Sequence, residues 1–101
     1  MNNVIISKDE ALDHLRRIMP ALREKYGVTK IGLFGSVARN EAVPESDIDI
    51  VIEMSEPRLF FMVHIKELLE KDFGKPVDVI RYRSKMNAYL KARIDCEAVY
   101  A

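Results

Sequence analysis

The sequence predicts an α/β fold of the α+β kind: a small mixed three-stranded sheet with helices packed mainly on one face. Three observations predict it. Apolar residues recur at helical spacing in several segments, short β-branched apolar runs alternate with them, and Gly or Pro stands at the breaks. A chain of 101 residues has the usual size of one domain, so a single domain over residues 1–101 is expected. Hydrophobic residues at 49% and charged residues at 32% suffice for a core beneath a well-solvated surface.

Ser7-Lys8-Asp9-Glu10 reads as a capping box, in which the Ser7 hydroxyl accepts from the Glu10 amide and the Glu10 carboxylate reaches back. The helix it opens puts Leu12, Leu15, Ile18, Met19, Leu22 and Tyr26 on one stripe, away from Arg16, Arg17, Arg23, Glu24 and Lys25. Pro20 predicts a kink or break near Met19. Gly27 suits the left-handed position past the helix end. Val28 to Phe34 is the first strand, ended by Gly35-Ser36, and Val37 to Asn40 follows as one or two helical turns. Asp47 to Met54 is the second strand, apolar through its middle as a central strand is. Leu59, Met62, Val63, Ile65, Leu68 and Leu69 mark an amphipathic helix that reaches Phe73 and stops at Gly74. Lys75 to Ile80 is the third strand. From Ser84 onward, Met86, Tyr89, Leu90 and Ile94 predict a last helix packed back on the sheet, with fraying over Glu97 to Ala101. The opposite face, near the strand ends, is left for a ligand.

Composition narrows the function. Lys plus Arg and Asp plus Glu both number 16, and this balance argues against a general nucleic-acid binder. A single cysteine, Cys96, forms no intramolecular disulfide and is read as a half-buried helix residue; the cytoplasm is the expected compartment. Met1 to Glu10 lacks a basic segment followed by an apolar run, and no apolar stretch approaches the roughly 18 residues a membrane helix needs, so export and membrane insertion are not expected. His14 and His64 have no second nitrogen ligand at a suitable spacing and are placed at the surface or boundary. The Met and Phe residues around Phe60 are read as core.

The chemistry gathers at the strand ends. Alternate side chains share a face, so Asp47 and Asp49 point together while Ile48, Ile50 and Ile52 enter the core. Two carboxylates so placed repel unless a cation lies between them, and hard oxygen donors suit Mg²⁺. Asp78, between inward Val77 and Val79, joins their face if the second and third strands are neighbours. Three carboxylates can hold two ions about 3.5–4 Å apart, the arrangement that phosphoryl and nucleotidyl transfer use. Gly35-Ser36 lies at a strand-to-helix turn where backbone amides can approach a phosphate, and Ser36 adds a hydroxyl. Arg39, one turn on, can return to the phosphates or pair with a local carboxylate.

The runs Ile31-Gly32-Leu33-Phe34-Gly35-Ser36-Val37-Ala38-Arg39, Glu45-Ser46-Asp47-Ile48-Asp49-Ile50-Val51-Ile52-Glu53 and Val77-Asp78-Val79-Ile80 occur in one order and spacing. This combination resembles the polymerase-beta-like nucleotidyltransferase superfamily, most closely its small prokaryotic branch, the minimal nucleotidyltransferase (MNT) proteins. The resemblance implies the polymerase-beta-like fold, triphosphate binding by Gly35 and Ser36, two Mg²⁺ ions held by Asp47 and Asp49, and Asp78 at the nucleophile-side metal helping to deprotonate the acceptor. Arg39 is the further candidate for nucleotide binding. One departure is Asn40, where the family commonly has glycine; Asn tolerates a left-handed backbone better than most residues.

In the MNT branch the resemblance further implies an antitoxin that transfers AMP from ATP to a tyrosine of a HEPN ribonuclease toxin. Three alternatives compete with it. One is transfer to a small molecule, which larger relatives serve with an extra helical domain. Another is a non-catalytic antitoxin that neutralises its toxin by binding, with exposed members of Leu59-Phe60-Phe61-Met62 and of the segment Tyr89 to Tyr100 as the contact. The last is transfer to an RNA end, requiring that Arg16, Arg17, Lys30, Arg81, Arg83, Lys85, Lys91 and Arg93 cluster locally.

Overall fold

The computed structural model describes residues 5–101; Met1–Val4, the start of the segment searched for an export signal, lie outside the described residues. The elements follow as α1 (Lys8–Tyr26), β1 (Val28–Phe34), α2 (Gly35–Ala38), β2 (Ile48–Met54), α3 (Leu59–Phe73), β3 (Val77–Arg81), α4 (Ala88–Glu97) and β4 (Val99–Tyr100). The capping box is present as expected: Glu10 N–H donates to Ser7 Oγ at 3.1 Å, and Ser7 N–H donates to Glu10 Oε1 at 3.1 Å. Gly27 ends α1 at φ 69° and Gly74 ends α3 at φ 68°.

Pro20 does not break α1, which runs through it. The carbonyl that loses its partner belongs to Arg16, and both Arg16 and Pro20 face solvent. The orphan group is therefore on the solvent side of the helix, while Leu15 and Leu22, both fully buried, hold the helix on either side of it.

The sheet has the order β3-β2-β1-β4. β1 and β2 are antiparallel, β2 and β3 parallel, and α3 supplies the crossover that a parallel pair requires. β2 is central, and Ile48, Ile50 and Ile52 are completely buried beneath α1 and α3 with Ile31, Leu33, Leu15, Ile65 and Leu69. Ile50→Ala leaves a cavity at the middle of this layer, for which a loss of about 2–5 kcal/mol is expected, read as a fall in the urea midpoint at unchanged slope.

Among the described residues four strands stand where three were expected. The segment over Glu97 to Ala101, expected to fray, ends α4 and then pairs with β1 through Gly32↔Tyr100 and Leu33↔Val99. Gly32 makes the approach possible, because a Cβ there would lie 2.7 Å from Tyr100 Cδ1 and 2.8 Å from the Val99 carbonyl oxygen. Such a pairing leaves no periodic trace in two residues.

The last helix begins at Ala88 with Asn87 as its cap, later than the expected Ser84. It lies on the sheet face opposite α1 and α3, where Ile94 and Met86 bury Phe34 and Val51. That face is thus covered over part of its length, and the strand ends carrying the aspartates stay open. Cys96 is exposed, not half-buried: it sits two residues past the buried Ile94, about 200° around the helix. The start of α3 also departs from expectation. Ile65 and Leu69 are buried, but Leu59 is 77% exposed, Phe60 75% and Val63 48%, because this first turn projects beyond the layer. Phe60 is therefore not core.

Candidate active site

Three short segments build the site. In the first, β1 runs into Gly35 at φ 76°, a left-handed conformation that costs any other residue roughly 1–2 kcal/mol, and the chain turns directly into α2. Phe34 pairs with Asp49 across the sheet, so the turn lies over the Asp49 side chain. A Cβ on Gly35 would collide with Asp49 Oδ2. The glycine is thus needed twice, once for the backbone angle and once for the carboxylate that occupies the space. Asn40 takes φ 56°, as expected for the residue in place of the family glycine, and its Oδ1 accepts from Lys8 N–H at 3.0 Å. One of the orphan donors at the start of α1 is satisfied by that bond.

The second segment is the loop before β2. Ser46 closes it on itself: its N–H donates to the Val43 carbonyl at 2.9 Å, and Val43 N–H donates to Ser46 Oγ at 3.0 Å. Ile48 N–H donates to the Pro76 carbonyl at 3.2 Å, tying the loop to the start of β3. Asp47 stands exposed at this junction, one residue before the strand, and Asp49 follows half-buried within it.

The third segment is β3. Strands β2 and β3 are neighbours, and their register sets Asp49 opposite Asp78. Adjacency was the condition on which Asp78 joined the pair. By alternation Asp49 and Asp78 lie on the face of Val51 and Ile80, the face that α4 covers farther along.

The electrostatics follow from this packing. Burial, then the Asp78 charge, then that of Asp47, push the Asp49 carboxyl above its ordinary value, while Arg93 and Arg39 pull it partly back. No cation stands within ion-pair distance of any of the three aspartates among the described residues; Arg39 and Arg93 go to Glu41 and Glu97 instead. Nor do three potential ligands already form a closed cage among the described residues. The aspartates are acceptor-only oxygens in mutual repulsion, with Asp47 and Asp78 exposed and able to turn inward, so the donor set fits a hard divalent cation.

Arg39 donates from Nε to Glu41 Oε1 at 2.7 Å and from Nη1 to Glu97 Oε1 at 3.0 Å. Of the two uses open to it, pairing with carboxylates is the one present. Glu97 also accepts from Gly35 N–H at 3.0 Å and meets Arg93 at 3.6 Å. Glu97 was not among the sequence candidates, and Arg93 was weighed only for an RNA end; their only joint sequence signal is an i,i+4 pair on a helix, which is generic. A cleft of about 330 Å³, lined by Met62, Val79, Ile80, Arg81, Arg83, Met86, Asn87 and Leu90, opens along the later part of β3; none of the three aspartates lines it. Of the eight basic residues weighed for RNA, four, Arg16, Lys30, Lys91 and Arg93, each face an acidic partner. His14, half-buried, meets Asp72 through Nδ1 at 2.8 Å and His64 is exposed, the boundary and surface positions expected of them.

Comparison with known proteins places this geometry. Residues 15–100 match the family described as Nucleotidyltransferase domain. The protein MJ1379 of Methanocaldococcus jannaschii, provisionally named a protein adenylyltransferase, is 40% identical over 94 residues, spanning 90% of this chain and 94% of its own length. Protein adenylyltransferase MntA of Thermococcus cleftensis is 35% identical over 94 residues, spanning 88% and 94%. A solved structure described provisionally as a minimal nucleotidyltransferase superposes with TM-score 0.74 at 29% identity, covering 93% of this chain and 95% of that one. The fold is shared with the MNT antitoxin bound to a tri-AMPylated Shewanella oneidensis HEPN toxin, at TM-score 0.66, 20% identity, and coverage of 89% and 70%. With the Gly-Ser turn, the Asp-x-Asp strand and the third aspartate in one register, the chain belongs to the minimal nucleotidyltransferase branch of the polymerase-beta-like nucleotidyltransferases.

Proposed function

We propose that this protein is a cytoplasmic antitoxin that transfers AMP from ATP to a tyrosine hydroxyl of a HEPN ribonuclease toxin, with two Mg²⁺ ions as cofactors. The observation that carries it is the register Asp49↔Asp78 beneath the Gly35 turn, which gathers donor-site and acceptor-site residues at one sheet end. Ser36, through its hydroxyl and amide, would hold the triphosphate at the turn. Asp47 and Asp49 would hold the ions, which when bound neutralise charge on the phosphates and lower the proton affinity of the attacking oxygen. Asp78 would face the acceptor and take the hydroxyl proton. The acceptor oxygen forms its bond to the α-phosphorus, and the bond from that phosphorus to the β-phosphate oxygen breaks as pyrophosphate leaves.

Two features support a protein as acceptor. The cleft along β3 has room for a side chain of the acceptor, with Met62, Val79, Ile80, Met86 and Leu90 as its apolar lining and Arg81, Arg83 and Asn87 as its polar one, and Leu59, Phe60 and Val63 form an exposed apolar surface suited to a protein contact. Those same residues serve the non-catalytic reading, in which binding alone neutralises the toxin.

Incubation of the protein with a purified HEPN partner, ATP and Mg²⁺ is expected to raise the partner's mass by one or more AMP units on a tyrosine. An unchanged partner mass under these conditions counts against transfer. Protection of cells by an Asp47→Asn, Asp49→Asn double variant that no longer transfers AMP would establish the binding-only mechanism instead.

A further inference from the structure

We propose that Glu97 is a positioning residue for nucleotide binding, clasping the Gly35 turn so that the triphosphate meets a pre-set backbone; this rests on the turn being the triphosphate seat. One carboxylate oxygen, Glu97 Oε1, accepts from Gly35 N–H at 3.0 Å and from Arg39 Nη1 at 3.0 Å, with Arg93 Nη2 at 3.6 Å. The Glu97 side chain is only 22% exposed, so water competes weakly for these contacts.

Both flanks of Glu97 are fixed. Ile94, one turn earlier, is completely buried, and β4 begins two residues later on β1, the strand that leads into the turn. Glu97 therefore cannot drift relative to Gly35 without unpairing β4. The clasp spans 62 residues of sequence and sets the height of the turn above Asp49.

The cluster's charge favours placement over attraction. Arg39 and Arg93 are matched by Glu41 and Glu97, two cations against two anions, so the group as a whole offers a phosphate no net pull. What Glu97 contributes is geometry, and geometry depends on reach more than on charge. Its amide analogue keeps the reach and loses the charge; aspartate keeps the charge and falls one methylene short.

Binding of a non-hydrolysable ATP analogue with Mg²⁺, measured by calorimetry, separates these properties. Glu97→Asp is expected to weaken binding about tenfold, and Glu97→Gln, whose side-chain oxygen can still accept from Gly35 N–H, to stay within about threefold of the unaltered protein. Circular dichroism on each variant confirms that it is folded. Asp binding as tightly as Glu, or Gln binding as weakly as Asp, overturns the proposal. Tighter binding by both variants overturns it as well and makes Glu97 a competitor that occupies the phosphate's place. Failure of the unaltered protein to bind the analogue would refute the triphosphate seat itself, and this inference with it, a result distinct from any difference among variants.

Discussion

Asp49→Asn is expected to lower the rate of AMP transfer about 10³-fold while making the metal-free protein more stable to heat. The rate loss follows from removing the carboxylate that lies between the turn and both other aspartates. Charge stabilisation of this kind contributes several kcal/mol, and each 1.36 kcal/mol is a factor of ten. The stability gain follows from the sign of the pKa shift. Burial and the neighbouring aspartates raise the Asp49 carboxyl in the folded state above its ordinary value of 3.8, so between those two values the folded protein binds more protons than the unfolded chain. Stability is therefore lost as pH rises through the folded-state pKa, and at neutral pH the whole penalty stands. Asparagine has the same shape and no charge to bury. Thermal melts across acid and neutral pH should show the variant's advantage growing with pH, and added Mg²⁺ should raise the melting point of the unaltered protein more than that of the variant. A variant that melts lower at neutral pH, or that keeps a tenth of the rate, would contradict this account of the site.

Gly35→Ala is expected to be nearly as inactive, with the opposite effect on stability. A methyl group at φ 76° costs roughly 1–2 kcal/mol in backbone strain. It also meets Asp49 Oδ2, so either the carboxylate or the turn must move. Displacement of a catalytic group by about 1 Å can cost 10²-fold in rate. The melting point should fall, by roughly 4–8 °C for each kcal/mol lost in a domain of this size. The two variants together are more telling than either alone: both lose transfer, one melts higher and one lower. Near-normal transfer by Gly35→Ala would show that the contact between turn and aspartate is not part of the working geometry.

What could be read in advance depended on how far apart the cooperating residues are. The capping box of Ser7 and Glu10 and the stops at Gly27 and Gly74 were legible because each is completed within a few residues. The burial of Ile48, Ile50 and Ile52 was legible because alternation alone assigns their face. Asp78 was legible as a residue but not as a position, since the parallel pairing of β2 with β3 is settled by how α3 packs. Of the kink or break expected at Pro20, the break is absent, because the cost of the missing bond depends on whether the Arg16 carbonyl can reach water. β4 and Glu97 were not legible: two residues carry no period, and their partners, Gly32 and Gly35, lie far upstream. Asn40 was expected to preserve a turn and does, but its bond to the start of α1 is a tertiary fact.

The clasp has a consequence for synthesis. Glu97 follows the turn it holds by 62 residues, and a chain leaves the ribosome from its N-terminal side. Gly35 therefore emerges well before the residue that accepts its N–H, and during that interval a nascent chain carries the turn without that bond. At the slow end of the usual translation rates, roughly 5–20 residues per second, the delay lasts on the order of ten seconds. On the proposed reading, transfer to a partner would wait until this distal segment has folded.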